Sequence, residues 1–270
     1  MAIDAALEAH YTTRHDEAHR LSSTLKGRLE LARVQELLGR YLPDPPAVVA
    51  DVGGGPGVHA RWLQELGYAV ELLDPVQRHV EQARAAGIDA RLGDARWLPW
   101  EDASFDAVLL AGPMYHLTAA ADRRLALHEA SRVTRPGGFV AVVAINRAAN
   151  LIGSLLANRL QQRERIVREI LETGYSADNE RMAETTYHSV TQLRTELTSV
   201  GFRAVTVHGL TGPGGWLTVT LDAHFGRQPA PESMTDPDPL ETALICSRLA
   251  DRCPELVPSS SLFFAVGQRV

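Results

Sequence analysis

From residue 47 onward, short apolar runs alternate with stretches whose apolar residues recur every three or four positions. AVVADV (47–52) predicts a buried strand. Val58, Trp62 and Leu66, at four-residue spacing, predict a helix with Pro56 near its start and Gly67 as its stop. AVELLD (69–74) reads as a second strand. Pro75 opens the next helix, Val76, Val80 and Ala83 form its stripe, and Gly87 ends it. IDARLGD (88–94) is a third strand, and FDAVLLAG (105–112) a fourth, apolar enough to be covered on both faces. A helix over about 120–134 closes at RPGG (135–138), and FVAVVAIN (139–146) is the fifth strand. Strands and helices alternating in this way predict a parallel sheet with right-handed crossovers.

Outside that alternation, residues 1–42 read as helical, with Leu31, Val34 and Leu38 at core spacing and Pro43, Pro45 and Pro46 as the joint to the sheet. Residues 150–173 predict one additional amphipathic helix. Ser189 followed by Gln192 is a capping box that opens a helix striped by Leu193, Leu197 and Val200 and stopped by Gly201. RAVTVHG then reads as a strand, GLTGPGGWL (209–217) as a turn-rich loop, PAPESMTDPDP (229–239) as a surface linker, and SLFFAVGQ (261–268), after a short helix, as the last strand. The organisation this implies is an N-terminal helical cap segment (1–42), a core (43–149), a helical lid insertion (150–188) and the C-terminal part of the core (189–270). The cap and lid segments are placed to lie over the mouth of the sheet.

Bulk properties narrow the function classes. A chain of 270 residues with 45% apolar and 22% charged positions suits one α/β domain with a decorated cap. A formal net charge of −6 disfavours a nucleic-acid binder that works through phosphate contacts, and equally an anionic membrane surface. No apolar run approaches the roughly 20 residues of a membrane span. The N-terminus lacks the basic start and apolar stretch of a signal peptide. Cys246 and Cys253 are too few for a disulfide framework and read as reduced thiols of a cytoplasmic protein.

The densest chemistry is DVGGGPG (51–57), directly after the first strand. Ligands of open parallel sheets sit beyond the carboxyl ends of the strands. There, glycines let backbone approach a ligand, and the next helix N-terminus offers N–H groups to an anion. A dinucleotide fingerprint counted from Gly53 needs its third glycine at position 58, which is Val58. The spacing is instead D-x-G-x-G-x-G, through Asp51, Gly53, Gly55 and Gly57. With Asp74 ending the second strand, Gly93-Asp94-Ala95 after the third, and Arg135-Pro-Gly-Gly138 before the fifth, the chain resembles the class I S-adenosylmethionine-dependent methyltransferases, closely over about 47–146.

The resemblance implies a Rossmann-like α/β fold: a seven-stranded mixed sheet in the order 3-2-1-4-5-7-6, helices on both faces, and a helical cap. It implies S-adenosylmethionine as cofactor. Asp51 would face the ammonium of its methionine part, loop amides at Gly53 and Gly55 the carboxylate, Asp74 and Pro75 the ribose, and Asp94, Ala95 and Arg96 the adenine. Ala111 and Met114, in AGPMYHL (111–117), would line the sulfur side, as the similar segment does in a group of small-molecule methyltransferases. By the same likeness Tyr11 of the N-terminal segment would reach the cofactor or the substrate, and Arg28, as a cation, is a candidate partner of the cofactor's carboxylate.

For the acceptor, His15, Tyr115 and Trp216 are candidate substrate contacts, and His116, His188 and, more weakly, Tyr187 candidate catalytic groups. Each either takes the acceptor's proton or orients the acceptor. His15 and His19 share a helical spacing, but nothing supplies the other ligands of a metal, and no metal is expected. The reading is a monomeric or homodimeric enzyme that methylates an oxygen or nitrogen of a small organic molecule, without nucleic acid or membrane as partner. An NAD-dependent oxidoreductase, a catalytically silent module that binds S-adenosylmethionine, and a protein or RNA methyltransferase are the alternatives.

Overall fold

The computed structural model describes residues 21–177, 183–226 and 231–270. Its main sheet contains β1 (Val48–Val52), β2 (Ala69–Asp74), β3 (Asp89–Leu92), β4 (Phe105–Leu110), β5 (Thr134–Ile145), β8 (Arg203–Gly209) and β9 (Leu262–Gln268), in the order β3-β2-β1-β4-β5-β9-β8. Numbered within this sheet alone, that is 3-2-1-4-5-7-6. The first five strands run parallel, and β9 is antiparallel to both β5 and β8. A separate two-stranded ladder pairs β6 (Tyr175–Ser176) with β7 (Thr185–Thr186).

Strand residues alternate between two cores, because successive side chains point to opposite faces. Val49, Leu72, Leu109 and Ala141 face α1 (Leu25–Gly39), α2 (Val58–Glu65) and α3 (Gln77–Ala85), meeting Leu37, Leu63 and Val80. Ala50, Val52, Val108 and Val140 face the other way, toward α5 (Ala120–Val133) and α8 (Val190–Ser199), meeting Leu127 and Leu193. The strands are apolar on both sides because both sides are covered. Half of the capping box is formed: Ser189 accepts from the Gln192 amide at 3.1 Å, while the Gln192 side chain turns to Arg147 and Glu196.

Three sequence expectations change. The helix expected over 150–173 is two helices, α6 (Ala149–Leu156) and α7 (Leu160–Thr173). The break is at Asn158, which takes φ 52°, a conformation asparagine tolerates better than most residues. The loop expected over 209–217 ends early, because α9 (Gly214–Phe225) begins inside it. Its opening glycines are packing residues: a Cβ on Gly214 would stand 3.0 Å from the Ala243 Cα of α10 (Pro239–Ala250). RPGG is more than a turn, since β5 already begins at Thr134 and its pairing with β4 shifts register there.

α1 is fixed by charge as well as by its apolar stripe. The Leu25 and Lys26 amides at its N-terminus donate to the Asp222 carboxylate of α9 at 3.1 and 2.9 Å. Arg33 is completely buried. It donates to the Leu210 carbonyl at 3.0 Å and pairs with Glu36 and Asp251, both at 2.6 Å. Removing one partner of a buried ion network costs about 3–5 kcal/mol. Arg33→Met is therefore expected to lose roughly 3 kcal/mol in urea unfolding, whereas Arg168→Met, at an exposed pair on α7, changes stability by less than about 1 kcal/mol.

Candidate cofactor and active site

The carboxyl ends of β1 to β4 open into one cavity of about 660 Å³, within the range of ligand pockets. Its floor is the loop after β1. The Gly53 amide donates to the Leu73 carbonyl at 2.7 Å, tying that loop to β2. Gly53 has φ +72°, and a Cβ there would stand 2.7 Å from the Cδ of Pro113, in the turn after β4. The two loops touch because that side chain is missing. α2 then starts behind Gly57, which as glycine offers no capping side chain, and Pro56 and Val58 line the cavity beside it. N–H groups at a helix start, with the helix dipole behind them, suit a carboxylate or phosphate.

Asp74 forms the next wall. Its Oδ2 accepts from the Gly55 amide at 2.8 Å, and its Oδ1 accepts from the Val76 amide at 2.9 Å and lies 3.0 Å from His79 Nδ1. Each oxygen is oriented by the chain before any ligand arrives. Beyond it, Asp94 is held by its own loop: Oδ1 accepts from the Arg96 amide at 2.9 Å, and the guanidinium closes on Oδ2 at 2.6 Å. Burial works to raise the Asp94 pKa, but the Arg96 bonds outweigh it and the carboxyl stays below its ordinary range. Arg96 also pairs with Asp122 of α5 at 2.7 Å. Pro75, Ala95, Ala111 and the 58%-exposed indole of Trp97 complete this end.

The glycine loop, Asp74 and Asp94, which converge here, are among the residues expected to meet an adenosyl ligand with an amino-acid tail. Residues 50–142 match the family described as a methyltransferase domain. Over these residues the chain is similar to a methyltransferase domain, and its sheet has the strand order expected of the class I, S-adenosylmethionine-dependent members.

An uncharacterized methyltransferase of Mycobacterium tuberculosis is 36% identical over 110 residues, 40% of this chain and 44% of that protein. The ubiquinone/menaquinone biosynthesis C-methyltransferase UbiE of Acidiphilium cryptum is 34% identical over 113 residues, 38% of this chain and 44% of that one. The chain therefore spans less than half the length of these curated relatives. A solved methyltransferase of Thermotoga maritima covers 99% of this chain and 100% of its own, with TM-score 0.60 and 16% identity, and shares the fold. In this chain the glycine loop, the start of α2, Asp74 and Asp94 are the residues that would hold S-adenosylmethionine. The glycine cradle that a Cβ would fill, together with the pre-oriented acids, fits that group.

Several expected site residues lie elsewhere. Arg28 is exposed on α1 and does not line the cavity. Met114 turns into the core against the β4 face instead of the sulfur side. Trp216 is on α9, where its indole donates to the Ser259 carbonyl at 2.5 Å, outside the cavity wall. Tyr187 is buried, its hydroxyl 3.4 Å from Ser176 Oγ. His188 is fully buried, with Nε2 3.2 Å from Glu196 Oε2, so it cannot meet an acceptor directly. Tyr11 and His15 lie outside the described residues.

Tyr115 and His116 do line the cavity, their rings 4.5 Å apart in α4 (Pro113–His116). Sequence reasoning missed His79, Trp97, Asp122 and Glu184 in the wall. His79, in the first turn of α3 after the ribose acid, was the one with a readable signal. Among the described residues no group of three His, Cys, Asp or Glu could hold a metal ion.

Asp51 is also corrected. It does not line the cavity. It is wholly buried beneath the loop, where a Cβ on Gly54 would stand 2.6 Å from its carboxyl, and neither oxygen makes a hydrogen bond of normal geometry. Burial, reinforced by the nearby Asp74 charge and only slightly relieved by the Ala60 amide, raises its pKa from 3.8 to about 7. The native state thus holds a proton that the unfolded chain releases first. Stability is highest below the unfolded value and falls as pH rises from about 4 to 7, by up to about 1.4 kcal/mol per unit. Urea unfolding of Asp51→Asn across that window is expected to show a visibly flatter pH dependence than wild type; equal slopes would contradict the assignment.

Proposed function

We propose that the protein transfers a methyl group from S-adenosylmethionine to an oxygen or nitrogen of a small organic molecule of the secondary-metabolite kind. The observation that carries this reading is a single cavity that runs from the glycine loop, Asp74 and Asp94 to Tyr115, His116, Thr118 and Glu184. One space thus serves both the cofactor and an acceptor. When bound, the cofactor supplies an electrophilic methyl carried on a sulfonium leaving group. The chain's own task is to hold the acceptor atom about 3 Å away and in line, and to keep water out.

His116, half-buried beside Tyr115, is the group that would orient the acceptor or take its proton, since imidazole exchanges protons near neutral pH. Two features favour a small acceptor over a polyanion. The net charge is −6. The one arginine or lysine among the described lining residues is Arg96, already engaged by Asp94 and Asp122. The relative named for quinone biosynthesis also acts on a small molecule. The lid role of 150–188 belongs to this proposal too: Ala183 and Glu184 of that segment stand in the cavity wall.

Incubating the protein with methyl-labelled S-adenosylmethionine and a metabolite extract should place label in a low-molecular-weight compound. Label in protein or RNA alone, or in nothing, would refute the reading. With that compound in hand, His116→Gln is expected to lower kcat by about 10²–10⁴. Affinity for S-adenosylhomocysteine in calorimetry should stay within about threefold, a difference of under ~1 kcal/mol.

A further inference from the structure

We infer that Arg123 is a positioning residue for methyl transfer: from behind the cavity, its guanidinium ties the turn that carries Tyr115 and His116 to the lid segment that carries Ala183 and Glu184. The inference rests on the proposed transfer reaction.

Arg123 is on α5 and buried, and its side chain does not line the cavity. One edge of the guanidinium reaches forward, donating to the Leu117 and Thr118 carbonyls at 3.0 and 2.8 Å. Both residues are in the cavity wall, immediately after His116. The same nitrogen lies 3.4 Å from the hydroxyl of Thr186 in β7. The other edge grips Glu196 of α8, with Nη2 2.8 Å from Oε1 and Nε 3.1 and 3.2 Å from the two oxygens. Glu196 in turn meets His188 at 3.2 Å and the Gln192 amide at 3.3 Å, and Gln192 accepts from Arg147 at 2.9 Å.

His188 is locked to the sheet through its backbone, its amide donating to the Ile145 carbonyl at 2.8 Å and its carbonyl accepting from the Arg147 amide at 2.9 Å. The lid strand β7 thus enters and leaves a network whose centre is one arginine. Burial would raise the Glu196 pKa, but the bonds from His188 and Arg123 bring it down to about 2, so the carboxylate is an anion at every working pH.

The geometry requires a planar fork. A lysine offers a charge but cannot bind Glu196 at one edge and two successive carbonyls at the other. A simple stabilising ion pair would need no carbonyl contacts to the cavity turn. Here those contacts decide how far Tyr115 and His116 stand from the opposite wall at Ala183 and Glu184. A displacement of about 1 Å at such a site costs about a hundredfold in rate. The histidine expected from sequence to act as a base thus serves this network instead, at one remove from the acceptor.

The test compares wild type, Arg123→Lys and Glu196→Gln by three readouts: calorimetry with S-adenosylhomocysteine, hydrogen exchange, and label transfer to the extract compound. Glu196→Gln keeps the side chain's shape and serves if Arg123→Lys does not fold. Both variants should bind S-adenosylhomocysteine within about threefold of wild type, because the network does not touch the cofactor end. Exchange at amides 115–118 and 183–188 should accelerate about tenfold or more in Arg123→Lys. Its transfer rate should fall about a hundredfold, mainly in kcat.

Exchange and rate within twofold of wild type, or a parallel loss of cofactor binding, would overturn the inference. If wild type itself transfers no label, the methyl-transfer reading fails, while exchange still decides whether Arg123 holds the two segments together.

Discussion

The site depends on how one carboxylate, Asp74, is engaged on several sides at once. It sits where β2 ends, takes the Gly55 amide on one oxygen and the Val76 amide on the other, and has His79 against it. The loop after β1 is thereby fastened to the strand beside it, and the start of α3 is fastened to the same point. A carboxylate accepting backbone N–H bonds on both oxygens is rigid and already partly compensated for lost hydration. It keeps lone pairs for hydroxyl donors entering from the cavity. The glycine loop can then lie flat against the turn after β4, which the missing side chain at Gly53 permits. Removing that carboxylate would leave the Gly53–Leu73 bond to hold the loop to β2.

The chain treats two of its acids, Glu196 and Asp51, in opposite ways. Glu196 is surrounded by donors and remains charged. Asp51 has almost none and is pushed toward its neutral form. The first arrangement builds a rigid support behind the acceptor end. The second stores a cost beneath the cofactor loop, a pattern expected where function has been favoured over stability. Between them runs the cavity, with Asp74 and Asp94 at one end and an aromatic–imidazole pair at the other.

The sheet was legible in the sequence because its signals are local. Apolar runs such as FDAVLLAG, punctuated by Gly67 and Gly87, mark strands and helix ends without reference to anything distant. The acids in the cavity wall were legible for the same reason: Asp74 ends β2 and Asp94 lies two residues past β3. What failed was direction. Met114 and Tyr115 are neighbours, yet one faces the core and the other the cavity, and only packing against α5 and β4 decides which. His188, a candidate catalytic group from the sequence, is buried instead. Its burial depends on Glu196, one helix away, and on a bridge to Asn146. Trp216 looked like a loop residue because GPGG resembles a turn, whereas those glycines let α9 pack against α10. Arg123 sent no signal at all, because a single arginine in a helical stripe reads as solvated surface until its partners are brought to it.

The account stands or falls on an adenosyl compound lying against Asp74. Calorimetric titration of S-adenosylhomocysteine into wild type, Asp74→Ala and Arg28→Ala tests it most directly. The account predicts saturable heat for wild type and Arg28→Ala, a loss of about a hundredfold or more in affinity for Asp74→Ala, equivalent to at least ~2.7 kcal/mol, and no heat with NAD. Wild-type affinity in a folded Asp74→Ala variant, or binding of NAD in place of S-adenosylhomocysteine, would contradict it.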